Sequence, residues 1–227
     1  VVRTDAGRAT ISVWFAVHPN GGDTCGSWGC PGHGTESGAD ECAHEHKGWV
    51  DNEGKPWDTA ERLFLVVDAL LSDNTDSTEW ILVLESHQET LNLLAKAHST
   101  EMIEAIARAS YEATYERPVK TKYDKDIDSN TSAIYPGTYK QALMSVECAV
   151  LGADSLVSGQ TDLAITVSRP PGHHAGREFY HGFCYFNIAA VAAEAMKESG
   201  KKVAILDFDI HHGDGTQDIF YDDPNVL

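Results

Sequence analysis

The sequence predicts an α/β domain of three layers, with a mainly parallel sheet between helices. Three observations carry that prediction. Two short runs, the apolar VAIL at 203–206 and LAITVS at 163–168, read as buried strands, the first buried on both faces. The Ala-rich stretch 186–199 between them reads as a helix stopped by Gly200, which makes the three segments a right-handed βαβ unit. Both runs then break into polar loops, and in open α/β sheets the crevice beyond the strands' carboxyl ends is where sites are built.

The remaining elements follow in order. Residues 10–17, TISVWFAV, predict a first strand that ends at His18, Pro19, Asn20, Gly21 and Gly22. A long Gly-rich loop over 20–56 carries Cys25, Cys30, His33, Cys42, His44 and His46. A structural zinc there is conceivable, but the C-x4-C spacing is looser than in the usual zinc pairs, so no metal is assigned to it. Residues 57–72 predict a helix, capped at Asp58 or Thr59, with Leu63, Val66, Val67 and Leu70 on one face. A strand is expected over 79–85, then helices over 89–97 and 100–115, the second capped by Ser99 or Thr100. Residues 118–137 are polar and broken by two prolines, hence a loop, and its acidic run 124–128 reads as solvated. Residues 138–157 predict a helix, with Gly159 at its stop.

Composition narrows the function classes. At 227 residues the chain can build one sizeable domain, and 42% hydrophobic with 23% charged residues is globular composition. No stretch approaches the roughly 18–20 apolar residues of a membrane span, and no secretory signal is visible. A net charge of −18 argues against direct nucleic-acid binding and favours cationic ligands such as an amine-bearing substrate. Five cysteines, an odd number, do not make a disulfide framework, so a reducing cytoplasmic setting is expected.

The chemistry concentrates after the run at 203–206. Asp207, Asp209, His211, His212 and Asp214 fall within eight residues around Gly213 and Gly215. Charged residues after a strand often form only a solvated loop, but this many carboxylates and imidazoles need mutual pairing or a metal if buried. Asp and His donors suit Zn²⁺. The βαβ reading places the loop after 163–168, with His173 and His174, at the same sheet edge. A metal-bound water needs a base to take its proton, and a leaving group needs an acid to return one. Asp207 and Asp214, if not ligands, are natural partners for the two imidazoles, which leaves Asp209 and His211 for the metal.

These motifs resemble a family. RPPGHHA at 169–175, GFCYFN at 182–187 and DFDIHHGDGTQ at 207–217 look like the histone deacetylase and acetylpolyamine amidohydrolase superfamily, closest to its class II and bacterial branches. PWDTAERLFLVVDAL and LAKAHSTEMIEAI are weaker echoes of its helices. The resemblance implies an arginase-like fold and zinc-dependent removal of an acetyl or other acyl group from an amine, either acetyl-lysine in protein or an acetylpolyamine. By it, Asp209 and His211 are zinc ligands, His174 is the base held by Asp214, and His173 pairs with Asp207. Gly182 and Phe183 belong to the substrate tunnel, and Asp128 or Asn130 anchors substrate. Monovalent cations, K⁺ in particular, are implied at Asp207, Asp209 and His211 and again at Phe220, Asp223 and Val226. A cytoplasmic location is expected for this chain, with the nucleus as the alternative in a eukaryote.

One departure follows. The family's third zinc ligand, an Asp, and its carbonyl-polarising Tyr come from later segments. The chain starts at Val1 and stops as Asn225, Val226 and Leu227 begin a new apolar run. Residues 1–227 therefore read as one incomplete catalytic domain, inactive by itself. A catalytically silent acyl-amine-binding module and another arginase-like metallohydrolase are the alternatives.

Overall fold

The computed structural model describes residues 11–16, 66, 69, 78–83, 87–128 and 131–227. Strands β1 (Ile11–Ala16), β2 (Thr78–Val83) and β3 (Leu163–Val167) form a parallel sheet in the order β2-β1-β3. Ile11 of the central strand is in register with Thr78 on one side and Leu163 on the other. Parallel neighbours cannot be joined by a hairpin, and helices at 88–97, 100–112 and 138–157 carry the chain from β2 to β3. Five described helices are α1 (Gln88–Ala97), α2 (Thr100–Glu112), α3 (Thr138–Val157), α4 (Ile188–Glu198) and α5 (Asp214–Phe220). The α3 helix packs on α4 and against β1 and β3.

Where apolar periodicity was strong, the expected elements are present. The helix at 138–157 has the expected bounds. Ser99 caps α2, its hydroxyl accepting from the Met102 N–H. That helix stops at Glu112 instead of 115, with Ala113 already extended. The α4 helix starts two residues late because Asn187 is its cap, accepting from the Ala190 N–H at 3.0 Å, while Phe186 is buried in the core. Of the helix expected over 57–72, residues 66 and 69 are described and helical. The rest of it and the loop at 20–56 lie outside the described residues.

Two buried polar groups tie the helices together. Glu147 of α3, 1% exposed, accepts from the His87 N–H at 3.0 Å and the Thr90 hydroxyl at 2.5 Å, fastening the start of α1 to α3. Its satisfied oxygens make burial of the carboxylate tolerable. His98, between α1 and α2, is fully buried. Its Nδ1–H donates to the Gly176 carbonyl at 2.7 Å, and its Nε2 accepts from the Asn187 N–H at 2.9 Å. Both nitrogens are thereby committed in the neutral ring.

Burial lowers the His98 pKa from 6.5 to about 4. Between those values the unfolded chain takes up a proton that the folded protein refuses, so stability falls as pH drops through that window. The loss amounts to on the order of 3 kcal/mol once the pH is below both values. Thermal unfolding of the parent and of His98→Gln at pH 7, 5.5 and 4 checks this. The parent's melting temperature should fall more steeply than the variant's, and parallel pH profiles would rule the linkage out.

The segment 203–206 corrects the sequence reading. It was expected as a strand buried on both faces, yet among the described residues it forms no ladder with β3. Its backbone pairs only with the last residues: the Val203 N–H donates to the Asn225 carbonyl at 2.9 Å, and the Ile205 N–H to the Leu227 carbonyl at 2.8 Å. Val203 and Ile205 pack on the core, whereas Leu206, Phe208 and Ile210 are 87%, 94% and 94% exposed. An extended chain alternates its side chains, so packing on one side covers only every second residue.

Candidate active site

The loop after β3 reaches the site by close backbone approaches that only glycine allows. A Cβ on Gly215 would lie 2.4 Å from the Ala175 carbonyl carbon, and its N–H donates to the His173 carbonyl at 3.0 Å. This pins the start of α5 to the PGHH loop. A Cβ on Gly182, whose φ is +55°, would lie 2.5 Å from His174 Cδ2. Asn187 joins the same elements, its Nδ2 donating to the Ala175 carbonyl at 3.1 Å and to the Thr216 hydroxyl at 2.9 Å.

The two motif loops do face one another. His173 Nδ1 is 2.8 Å from Asp207 Oδ2, and His174 Nδ1 is 2.8 Å from Asp214 Oδ1. The two rings sit side by side, centroids 4.0 Å apart. With each Nδ1–H donated to a carboxylate, Nε2 is the nitrogen of each ring that can exchange a proton. Burial lowers the His174 pKa, and the hydrogen bond it donates to Asp214 only partly offsets this. The ring is therefore neutral, as a base must be, at pH 7. Burial would raise the Asp214 carboxyl, but hydrogen bonds from His174 and His181 outweigh it and hold the group below its ordinary range. At Asp207 the desolvation is likewise outweighed, by the Asp209 N–H and by His173.

Asp209 and His211 lie on the open side of this pair. The His211 N–H donates to Asp209 Oδ1 at 2.8 Å, and His211 Nδ1 lies 3.1 Å from the same oxygen. The His211 ring centroid is 6.1 Å from that of His174. A carboxylate and an imidazole, accessible and adjacent beside the two His–Asp pairs, fit zinc in donor type, though they are one short of the three protein ligands usual at catalytic zinc. For the second cation position, the Phe220 carbonyl accepts from the Asp223 N–H at 3.0 Å, and the Asp223 carbonyl accepts from the Val226 N–H at 3.3 Å. Each carbonyl keeps a lone pair, but the Asp223 carboxylate is engaged by Lys197 Nζ at 2.5 Å.

One placement differs from the sequence reading, that of Asp128, and the other candidate there, Asn130, lies outside the described residues. Asp128 is exposed, and the carboxylate of its loop that reaches the site is Asp126. Asp126 Oδ2 accepts from the Gly182 N–H at 3.2 Å and from the Thr131 hydroxyl at 2.9 Å. The loop turns between these positions, so sequence position alone does not show which carboxylate faces inward. Phe183 adopts a left-handed φ of +70°, with its N–H on the Ser132 hydroxyl at 3.0 Å. Cys184 is fully buried and its thiol is pushed up by burial, which agrees with a packing role and not a nucleophile.

His181 was missed. Its Nε2 lies 2.9 Å from Asp214 Oδ2 and 3.1 Å from Oδ1, and its ring stacks on His174 with centroids 4.5 Å apart. The available signal was an imidazole directly before the glycine of GFCYFN, a motif already assigned to the site.

The parallel sheet with its packed helices, and two His–Asp pairs where the loop after β3 meets residues 207–214, define an α/β domain with an acid–base site. The histone deacetylase domain matches residues 57–227, and the chain belongs to that family. It is 51% identical over 97 residues to the acetylpolyamine amidohydrolase of Mycoplana ramosa, covering 42% of this chain and 28% of that protein. To a probable deacetylase of Archaeoglobus fulgidus it is 31% identical over 185 residues, covering 80% of this chain and 48% of the relative. The crystal structure of the HDA15 HD domain superposes with a TM-score of 0.61 at 27% identity, covering 74% of this chain and 46% of that one. The arginase-like fold expected from the motifs is thus the observed one. The chain spans about half the length, or less, of these relatives. Among the described residues, no helix is long and apolar enough to cross a membrane.

Proposed function

We propose that this protein is a zinc-dependent amide hydrolase that removes an acetyl or other acyl group from an amine, carried on a lysine of a protein or on a polyamine. The carrying observation is the His174–Asp214 pair at 2.8 Å, a neutral imidazole held by an ionised carboxylate beside Asp209 and His211. Relatives named as acetylpolyamine amidohydrolase in Mycoplana ramosa and as polyamine deacetylase in Rattus norvegicus support the substrate class.

Asp209 and His211 would hold the zinc, which supplies Lewis acidity to polarise the acyl carbonyl and acidify water. His174 Nε2 takes the proton of the attacking water as its oxygen bonds to the acyl carbon. Asp214 meanwhile keeps Nδ1 protonated and stabilises the imidazolium that forms. The C–N bond then breaks, and His174 or His173 delivers a proton to the leaving amine. Phe183 walls the acyl-amine channel, and Asp126 fixes the backbone at Gly182. Potassium ions at Asp207, Asp209 and His211, and along the turn of Phe220, Asp223 and Val226, would brace the strand-end loop. The protein acts in the cytoplasm under the same reading.

Acetate release from acetylputrescine and from an acetyl-lysine peptide by the intact, zinc-loaded protein tests the proposal. Turnover of either is the expected result. Tight binding of both without acetate release would instead identify a silent binding module.

A further inference from the structure

His181 is the part of this site that the hydrolytic scheme leaves without a task. Its single Nε2–H spans both oxygens of Asp214, at 2.9 and 3.1 Å. Its Nδ1 faces Asp126 Oδ2 at 4.0 Å, and Lys125 Nζ approaches Asp214 Oδ2 at 3.7 Å. The position is firmly built. The Tyr180 N–H donates to the Tyr123 carbonyl at 2.9 Å, and the Lys125 N–H donates back to the Tyr180 carbonyl at 3.0 Å. On the other side the Cys184 N–H closes a turn onto the His181 carbonyl at 2.9 Å.

A carboxylate at the start of a seven-residue helix can rotate about its side-chain torsions unless both oxygens are held. His174 holds only Oδ1, at 2.8 Å. We propose that His181 is a positioning residue: by donating across Asp214 it locks the carboxylate with Oδ1 on His174, which keeps His174 protonated at Nδ1 and leaves Nε2 for proton transfer. The inference rests on the hydrolytic reading above and adds a member to its machinery.

The same three side chains have the donor types of a metal site, their ligand atoms lying within 4.8 Å of one another. Their spacing favours protons. Two ligands about 2.0–2.1 Å from a tetrahedral zinc sit about 3.3 Å apart, whereas His174 and His181 approach Asp214 to 2.8 and 2.9 Å. Those are ordinary N–H···O distances for a charged acceptor.

The test uses the intact, metal-loaded protein. Partners of this outer kind change activity about 10–100-fold when removed, so His181→Ala should lower kcat by that factor with KM nearly unchanged. His181→Gln, which retains a side-chain N–H donor, should recover part of the loss, and added imidazole should recover part in the Ala variant. In an Asp214→Asn background, His181→Ala should cost nothing further in kcat. A merely structural role would give additive losses and no imidazole rescue, and would overturn the proposal. A second readout does not depend on turnover. In ¹⁵N-histidine spectra the parent should show His174 as the Nδ1–H tautomer, and His181→Ala should show a tautomer mixture. An unchanged His174 tautomer in that variant would also overturn the proposal. If the parent hydrolyses neither substrate, the hydrolytic reading fails, while the tautomer comparison still decides the role of His181.

Discussion

His174→Ala should lower kcat of the intact enzyme by about 10²–10⁴-fold, the usual loss when a positioned general base is removed. The argument is geometric first. The ring is mostly shielded, its Nδ1 is committed to Asp214 at 2.8 Å, and burial holds it neutral. Removal of the ring leaves Asp209 and His211 in place, so zinc content and the binding of a substrate analogue should change little. Asp214→Asn should follow in the same direction with a smaller effect, because an amide can present its N–H to Nδ1 and favour the wrong tautomer. His173→Ala should also lose activity, since its ring stacks on His174 and pairs with Asp207 at 2.8 Å. Side-by-side kcat values on an acetyl-lysine peptide and an acetylpolyamine provide the measurement. Near-parental kcat in the His174 variant would remove it from the role of base.

Substitution of Asp209 or His211 by Ala should have the second large effect, loss of stoichiometric zinc together with loss of turnover. Asp209 is held below its ordinary range, first by the His211 N–H that donates to it, so it is ionised at pH 7. An ionised carboxylate and an adjacent accessible imidazole are the strongest donors on the open side of the His–Asp pairs. Removal of either leaves one donor from this loop, too few to retain the ion against dilution. Metal analysis after purification without chelators reads the result independently of activity. Full zinc occupancy in both variants would relocate the metal.

The two predictions differ in how far each was legible in the sequence. The motif residues, the helix between the two apolar runs and the 138–157 helix follow from local pattern: a helical period, apolar composition and glycine stops. Such signals depend on neighbours a few positions away, so they survive without knowledge of the fold. The pairing of His173 with Asp207 and of His174 with Asp214 spans 34 and 40 residues. The order of segments places both loops at one edge, and the family resemblance supplied the partner of each ring.

Tertiary structure alone decided the rest. Asp126 and not Asp128 reaches the site because the loop at 123–126 is pinned to Tyr180, a contact with no local signature. His181 joins Asp214 across 33 residues through the turn at Gly182 and Phe183, both left-handed, and nothing in the order of residues states where such a turn aims a ring. The exposed side of 203–210 is the same lesson in packing terms. An unbroken apolar run declares that burial is favourable, but which face is covered depends on which segment lies against it. The sequence by itself determined most of the helices, the residues of its three motifs and the family. Only the folded chain decided which carboxylate, which imidazole and which strand face meet, because those contacts are set by the directions of distant loops and not by any local preference.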